Sequence, residues 1–268
     1  MTWNQKIGVL IALSLTGVVI TFSYPAIPQD PSYFRLADCR HLWSIANFGD
    51  VVSNLAFFGA GMMGLVLLFR VRQDRSRLIT PQEFYPFLFA YAGIALIFPG
   101  SAYFHFDPGN ETLVWDRLPM TLVFMSVFAM VLTERLQLRR PGFLLIILLM
   151  LGVGSVVYWH FTEQAGRGDL RLYGLVQYLP LLLYPFLFSW FPPRYSGTRY
   201  LLEMLGWYLV AKLFEFYDEM VWSWTGEVVS GHSIKHLCAA VATYGLVRYL
   251  KHRRSLVTEA HHHHPAQP

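Results

Sequence analysis

Long apolar segments alternate with short polar ones along almost the whole chain. Each apolar segment has roughly 20 residues, the length that an α-helix needs to cross a bilayer core of about 30 Å. The pattern predicts eight spans, at Ile7–Tyr24, Asp50–Phe69, Phe84–His105, Trp115–Leu132, Phe143–His160, Leu172–Phe191, Tyr200–Trp222 and His232–Leu250. The fold class is therefore predicted to be all-α, a multi-pass transmembrane helical bundle.

Composition agrees with this interpretation. Hydrophobic residues make up 54% of the 268 positions and charged residues only 14%, whereas soluble domains carry about 25% charged residues. The net charge of +4 does not indicate nucleic-acid binding, because the basic residues lie in short loops where membrane topology explains them. We expect the bilayer and a membrane lipid as partners and no nucleic acid, while protein partners stay unknown.

Four regions follow from the spans. Residues 1–24 form an N-terminal transmembrane segment or signal anchor, 25–49 a non-cytoplasmic loop, 50–250 a seven-span core and 251–268 a polar cytoplasmic tail. A poor match to a cleavage site after the first apolar segment favours an uncleaved span over a signal peptide. The tail holds His261 to His264, which we interpret as part of a disordered end and not as a metal-binding tract.

Basic residues are distributed unevenly between the two sides of the predicted membrane. With the N-terminus in the cytoplasm, fourteen of the 21 lysines and arginines fall on the cytoplasmic side and five on the other. The positive-inside rule then predicts that both chain ends are cytoplasmic. In this topology His105 ends one span, Asp116 begins the next and His232 begins the last, all on the non-cytoplasmic side. The sequence thus predicts that these side chains share one layer of the membrane.

Three histidines in that layer are suited to hold a metal ion. His232 and His236 are four residues apart, so a helix would place both on one face, one turn apart. His105 from another helix would complete a set of three ligands with one position left for water, as in catalytic zinc sites. Two interfacial histidines bonded to backbone or water are the alternative. The presence of His105 and Asp116 at the same depth favours the metal.

Two further residues are candidates for catalysis beside the metal. Asp116 could accept the proton of an activated water and return it to a leaving amine, or it could be a helix cap. Ser101, one turn before His105, could hydrogen-bond a developing oxyanion or its own backbone. Asp107 and Glu111 are weaker rivals of Asp116.

Other polar residues lie close to the proposed ligands in sequence. Asp218, Glu219 and Lys235 are candidates to orient a ligand histidine; the two acidic residues could instead form structural ion pairs with Lys235 or Arg117. His41 and His160 are interpreted as interface histidines.

Taken together, Ser101-x-x-x-His105, Asp116 and His232-x-x-x-His236 resemble, in this order, the alkaline ceramidase family. This family belongs to a superfamily of membrane hydrolases that includes the progestin and adipoQ receptors. The resemblance covers roughly residues 50–250, includes Asp50-Val51-Val52-Ser53-Asn54-Leu55, and is closer to bacterial members around Gly231-His232-Ser233-Ile234-Lys235-His236.

The resemblance implies an activity and roles for the residues. His105, His232 and His236 would bind Zn²⁺, Asp116 would be the acid and base, and Ser101 would assist the oxyanion. The family cleaves the amide of ceramide to a sphingoid base and a fatty acid, and a cavity open to the bilayer would admit the lipid sideways. A bacterial member would lie in the inner membrane and a eukaryotic one in the ER or Golgi.

The region before the core departs from the family pattern. Eukaryotic members bind Ca²⁺ through acidic residues there, whereas this chain has Asn47 where a glutamate would align. Calcium binding is therefore doubtful.

A receptor like the adipoQ relatives, with a structural zinc site, is the main alternative to an enzyme. A transporter with a histidine–carboxylate relay is disfavoured, because the ionisable groups cluster at one interface instead of crossing the membrane. A cavity reaching the metal would favour the enzyme. The sequence leaves open which lipid, ceramide or another N-acyl lipid, is the substrate.

Overall fold

The chain forms a bundle of α-helices. The structure is a computed structural model that describes residues 1–138 and 141–256, so the histidine tract at 261–264 lies outside the described residues. The helices are α1 (Trp3–Ser23), α2 (Phe48–Val52), α3 (Leu55–Val71), α4 (Phe84–Phe106), α5 (Asn110–Leu136), α6 (Pro141–Gln164), α7 (Arg171–Trp190), α8 (Thr198–Phe216), α9 (Asp218–Trp224) and α10 (Gly231–His252). The described residues contain no β-strand, only two isolated β-bridges.

Six helical segments are long and apolar enough to cross a membrane. They are Trp3–Ser23, Phe48–Val71, Pro81–Phe106, Asn110–Leu136, Pro141–Gln164 and Arg171–Trp190. The predicted all-α, multi-pass class is confirmed. The other two predicted spans correspond to α8 and α10, which are not among these six segments. They pack against each other, with α10 also against α3. That these two helices cross the membrane stays a prediction.

The predicted continuous span Tyr200–Trp222 is wrong, because α8 ends at Phe216 and α9 begins at Asp218. The backbone leaves the helical region at Tyr217, with φ −101° and ψ 28°. Two acidic residues then stand in the first turn of α9, where a helix N-terminus favours negative charge.

Another break separates α2 from α3 inside the predicted second span. The amide of Asn54 donates to the carbonyl of Asp50 at 2.7 Å. This side-chain hydrogen bond offers the backbone an alternative to the regular helical pattern, and it places Ser53 at the break.

The interpretation of Asp116 as a helix cap is also wrong. α5 begins at Asn110, so Asp116 lies in the second turn. Thr112 closes the N-terminus instead, since its hydroxyl accepts from the backbone N–H of Gly109 at 3.1 Å and donates to the carbonyl of Asp107 at 2.7 Å.

Helix α1 is peripheral to the rest of the bundle. It lies along α7, where Lys6 Nζ donates to the carbonyl of Trp190 at 2.8 Å and Gly17 approaches Leu179. Leu10 is its buried residue, so most of its apolar surface faces outward. That α1 is a span added to a seven-span core stays a prediction.

A buried polar cluster closes the end of the bundle where α4 begins and α10 ends. Arg253, only 1% exposed, donates from Nη2 to Glu83 at 2.8 Å and from Nε to the carbonyl of Arg77 at 2.7 Å. Its guanidinium also lies 3.5 Å from the centre of the Tyr195 ring, and the Tyr195 hydroxyl donates to Glu83. Arg253 therefore has a structural role in addition to its place in the charge asymmetry.

Replacing Arg253 by Gln should destabilise the fold by at most about 3–5 kcal/mol, because the buried Glu83 loses its closer cation and keeps only the Arg194 guanidinium at 3.7 Å. Thermal unfolding in detergent measures the effect. Lys251→Gln, which removes a charge from an exposed position of the same helix end, is the matched control and should leave the melting temperature nearly unchanged. Equal melting temperatures for both variants would contradict a structural role of the pair.

Candidate metal centre and cavity

Three histidines meet where the end of α4 contacts the beginning of α10. His105 comes from α4, and His232 and His236 from the first two turns of α10. All three are buried, with exposures of 1%, 6% and 4%. The Nε2 atoms of His105 and His232 are 3.2 Å apart, and one nitrogen of each ring lies within 4.8 Å of the others. The structure thus brings together the three residues that spacing and topology had placed in one layer.

The chemistry of this cluster fits a bound metal ion. Two facing imidazole nitrogens at 3.2 Å can share at most one proton, and Nδ1 of His105 is buried with no hydrogen-bond partner. A cation that accepts the lone pairs of all three rings satisfies them together. Histidine nitrogens are common ligands of zinc, and three protein ligands leave a fourth position open.

Ser53 sets the orientation of one of these rings. Its hydroxyl lies 2.8 Å from Nδ1 of His236 and also donates to the carbonyl of Asp50 at 3.3 Å. When the ring donates from Nδ1 to Ser53, the lone pair of Nε2 is directed to the cluster. Hydrogen bonds of this kind fix the tautomer of metal-binding histidines.

Two carboxylates hold the N-terminus of α10. Asp50 Oδ1 accepts from the hydroxyls of Ser230 at 2.6 Å and Ser233 at 2.7 Å. Asp218 Oδ1 accepts from the backbone N–H of His232 at 2.7 Å. Negative groups at a helix N-terminus satisfy its free N–H groups and its dipole. From the sequence, Asp50 had no predicted role beyond beginning the second span and belonging to the segment that carries the resemblance.

Glycine at position 100 allows α4 and α5 to approach each other. A Cβ atom there would lie 2.1 Å from the carbonyl oxygen of Trp115, so no other residue fits without moving a helix. The next residues on the two helices, Ser101 and Asp116, are 2% and 6% exposed, and the Ser101 side chain is a hydrogen-bond partner of the Asp116 carboxyl.

The three candidates for orienting a ligand histidine differ in their positions. Lys235 Nζ lies 2.6 Å from Nε2 of His232 and 3.4 Å from Glu215. Asp218 binds the backbone of His232 and not its ring. Glu219 is exposed at the start of α9, and the structure does not bring it to the histidines.

Other polar residues considered from the sequence lie outside the cluster. Asp107 is exposed. Glu111 has an exposed side chain that contacts His160 at 3.7 Å and Gln164 at 3.1 Å. His41 is exposed in the loop before α2.

The loop before α2 is bound tightly to the bundle. Asp38 Oδ1 and Oδ2 accept from the Arg40 guanidinium at 2.8 and 2.7 Å, and Oδ2 also accepts from the N–H of Gly49 at 2.8 Å. Burial would raise the pKa of Asp38, but these hydrogen bonds lower it below its usual value. Asn47 donates to the carbonyl of His105 at 2.7 Å, so the segment that the resemblance linked to calcium helps to fix a histidine of the cluster.

A cavity of about 550 Å³ adjoins the histidines, within the size range of ligand pockets. Its deep wall is apolar and comes mainly from α5, α7 and α8, while Ser101, Asp116, Lys235 and His236 line its polar end. α7 and α8 are joined across the cavity by a hydrogen bond from the Gln177 amide to the Tyr208 hydroxyl at 2.9 Å. Tyr178 lines the cavity and is also 51% exposed, so at this residue the cavity wall is only one side chain away from the outer surface of the bundle.

Replacing Ser53 by Ala should weaken metal binding by roughly 10- to 100-fold, the usual effect of losing a hydrogen bond to a ligand histidine. Competition with a chromophoric chelator, using purified protein and zinc, measures the affinity. Ser155→Ala removes a buried hydroxyl that bonds only within α6 and is the matched control. An unchanged affinity in Ser53→Ala would refute the orienting role.

Comparison with known proteins identifies the family. A family model described as Ceramidase matches residues 37–266, most of the chain and all of the histidine cluster. The match begins after α1, in the loop whose Asp38 and Asn47 are bound to the core. Comparisons with curated proteins and with solved structures give no significant match. The resemblance seen in the sequence is confirmed, and the chain belongs to the ceramidase family.

Proposed function

We propose that this protein is a zinc-dependent intramembrane hydrolase that cleaves the amide bond of ceramide or a related N-acyl lipid. Family membership implies an amidase-type hydrolase. The observation that carries the finer proposal is the cavity, whose apolar wall leads to a polar end formed by Ser101, Asp116 and His236. An apolar cavity of this size suits hydrocarbon chains, and its polar end places an amide beside ionisable groups.

His105, His232 and His236 would hold the zinc ion. When bound, zinc supplies Lewis-acid chemistry that makes water a nucleophile at neutral pH. The protein contributes the fixed geometry of the rings, through Ser53 on His236, Asn47 on the main chain of His105 and Asp218 on the main chain of His232.

Asp116 would move the proton. Its carboxylate accepts a proton from the attacking water and returns it to the nitrogen of the leaving amine, as a general base and then a general acid. Burial at 6% exposure excludes bulk water, which could otherwise exchange the proton before it reaches the amine.

Ser101 would assist the carbonyl oxygen. A serine hydroxyl has a single proton to donate, and in the structure its partner is the Asp116 carboxyl. Once Asp116 has taken up a proton, it can donate to Ser101, and the hydroxyl proton becomes free for the oxyanion. The two side chains would therefore exchange hydrogen bonds in step with the reaction.

The charge asymmetry favours a non-cytoplasmic position of the histidine cluster. The packing of α10 against α3 and α8 supports a seven-helix core formed by residues 50–250, with α1 added to it. A structural zinc site, as in the receptor alternative, would need neither a buried carboxyl nor a cavity reaching it.

Purified protein should release fatty acid from at least one lipid of a panel of ceramides and other N-acyl lipids, and a zinc chelator should abolish the release. Mass spectrometry of the released acid measures it, and re-addition of zinc should restore it. His236→Ala, which removes one proposed ligand, is the metal-free control. No release from any lipid by zinc-loaded protein would favour the receptor.

Replacing Asp116 by Asn should lower kcat by roughly 10²- to 10⁴-fold while zinc content stays unchanged, because the amide cannot accept the proton. Steady-state hydrolysis together with metal analysis checks both parts. Asp107→Asn removes an exposed carboxyl from the preceding turn and should retain activity. Full activity in Asp116→Asn would remove this residue from the mechanism.

A further inference from the structure

The cavity has a cationic side chain that the proposed reaction does not use. Arg117 follows Asp116 on α5, lines the cavity and is 6% exposed. Consecutive helical residues point about 100° apart, so Arg117 is directed away from Asp116. Its guanidinium lies 4.2 Å from the ring centre of Trp159 and 4.8 Å from that of Tyr173.

Only part of the guanidinium is satisfied within the protein. Nη2 donates to the side-chain oxygen of Gln29 at 2.6 Å, whereas Nη1 is buried without a hydrogen-bond partner. In the part of the chain that the structure describes, Arg117 forms no ion pair. A buried charge is costly unless it is paired, and contacts with aromatic rings offset only part of this cost.

The other charged groups along the cavity are already engaged. Glu215 is bound by both Lys212 and Lys235. Asp116 has Ser101 as its partner. Asp30 accepts from the backbone N–H of Ser32 at the exposed rim. Among the described residues, Arg117 is therefore the cavity cation with a free donor and no carboxylate within ion-pair distance.

The chemistry of the free donor indicates its ligand. A guanidinium presents N–H groups in a rigid plane that matches carboxylate and phosphate oxygens, and bonds to such oxyanions are stronger than neutral ones. Arg117 follows Asp116, where the amide would react, and lines the same cavity as the apolar wall that suits hydrocarbon chains. The oxyanion must therefore belong to the polar head of the lipid, next to the amide.

We infer that Arg117 binds an oxyanion, a carboxylate or a phosphate, on the amine part of the substrate, so that the protein prefers N-acyl lipids with an anionic head to neutral ones. The inference rests on the proposed hydrolase function and specifies its substrate class. The reaction is unchanged: water adds OH to the acyl carbon, the C–N bond breaks, and the nitrogen receives the proton. N-palmitoylserine, for example, would give palmitate and serine.

Two matched pairs of lipids test the inference. N-palmitoylserine carries a carboxylate where N-palmitoylserinol carries a hydroxymethyl group, and ceramide 1-phosphate differs from ceramide by its phosphate. Wild-type protein should show at least a tenfold higher kcat/KM for the anionic member of one pair. The pair that shows this preference identifies the bound oxyanion as a carboxylate or a phosphate. Arg117→Gln should lose roughly 10- to 100-fold on this lipid and little on its neutral partner.

Further variants separate recognition from folding. Arg117→Lys keeps the charge and should retain part of the preference. Arg167→Gln removes an exposed charge from the loop after α6 and should behave as wild type. Thermal unfolding establishes whether each variant is folded. If Arg117→Gln is not folded, the comparison of Arg117→Lys with wild type on the matched lipids tests the inference: a reduced preference for the anionic lipid supports it, and an unchanged preference contradicts it.

Three results would overturn the inference. The first is an equal loss of kcat/KM on both members of each pair in Arg117→Gln, and the second is the absence of a preference in the wild-type protein. The third is an Arg117→Gln variant in which only inhibition by added palmitate changes, since Arg117 would then bind the released acid. Equilibrium binding of the same lipids to chelator-treated protein distinguishes the two proposals. If lipid binding depends on Arg117 but zinc-loaded protein hydrolyses no lipid, the hydrolase proposal alone is refuted. If zinc-loaded protein hydrolyses lipids without a head-group preference, the inference about Arg117 alone is refuted.

Discussion

The fold depends on holding three imidazole rings in contact inside an apolar bundle. Ring nitrogens of His105 and His232 approach to 3.2 Å, an arrangement that costs free energy unless a cation or shared protons satisfy the lone pairs. Hydrogen bonds therefore fix the backbone of each helix end that carries a ring. Asn47 binds the end of α4, and Asp50 and Asp218 bind the start of α10. These polar contacts fix the helix ends, and with them the rings, within the apolar packing of the bundle.

The two ends of the bundle use buried polarity differently. At the histidine end, several donors and acceptors remain free for a ligand, among them Nδ1 of His105 and Nη1 of Arg117. At the other end, Arg253 and Glu83 are paired directly and sealed by Tyr195. The cavity lies between α5, α7 and α8 and is continuous with the first end. The Thr133 hydroxyl, which lies near Glu83 and Arg253, is also buried without a hydrogen-bond partner, so the two ends differ in the ion pair and not in the presence of unpartnered groups.

Much of this arrangement was predictable from the sequence, because it depends on local spacing. Apolar length predicted the helices, the four-residue spacing predicted that His232 and His236 share a face, and the charge asymmetry predicted that His105 and Asp116 lie in their layer. The remainder depends on contacts between distant segments. The break at Tyr217 and the role of Asp50 come from the packing of α8 and α3 against α10. The sequence suggested Arg117 only as an ion-pair partner of Asp218 or Glu219, because the aromatic rings and Gln29 that surround it come from other parts of the chain.

A cavity entrance beside Tyr178 would determine how substrate concentration should be expressed. Tyr178 lies on an outward surface of α7 and lines the cavity, so a membrane lipid that enters there would arrive by lateral diffusion in its own leaflet. The relevant quantity is then the surface mole fraction of the lipid. Dilution of the membrane with inert lipid would slow the encounter, whereas dilution of the whole suspension would not.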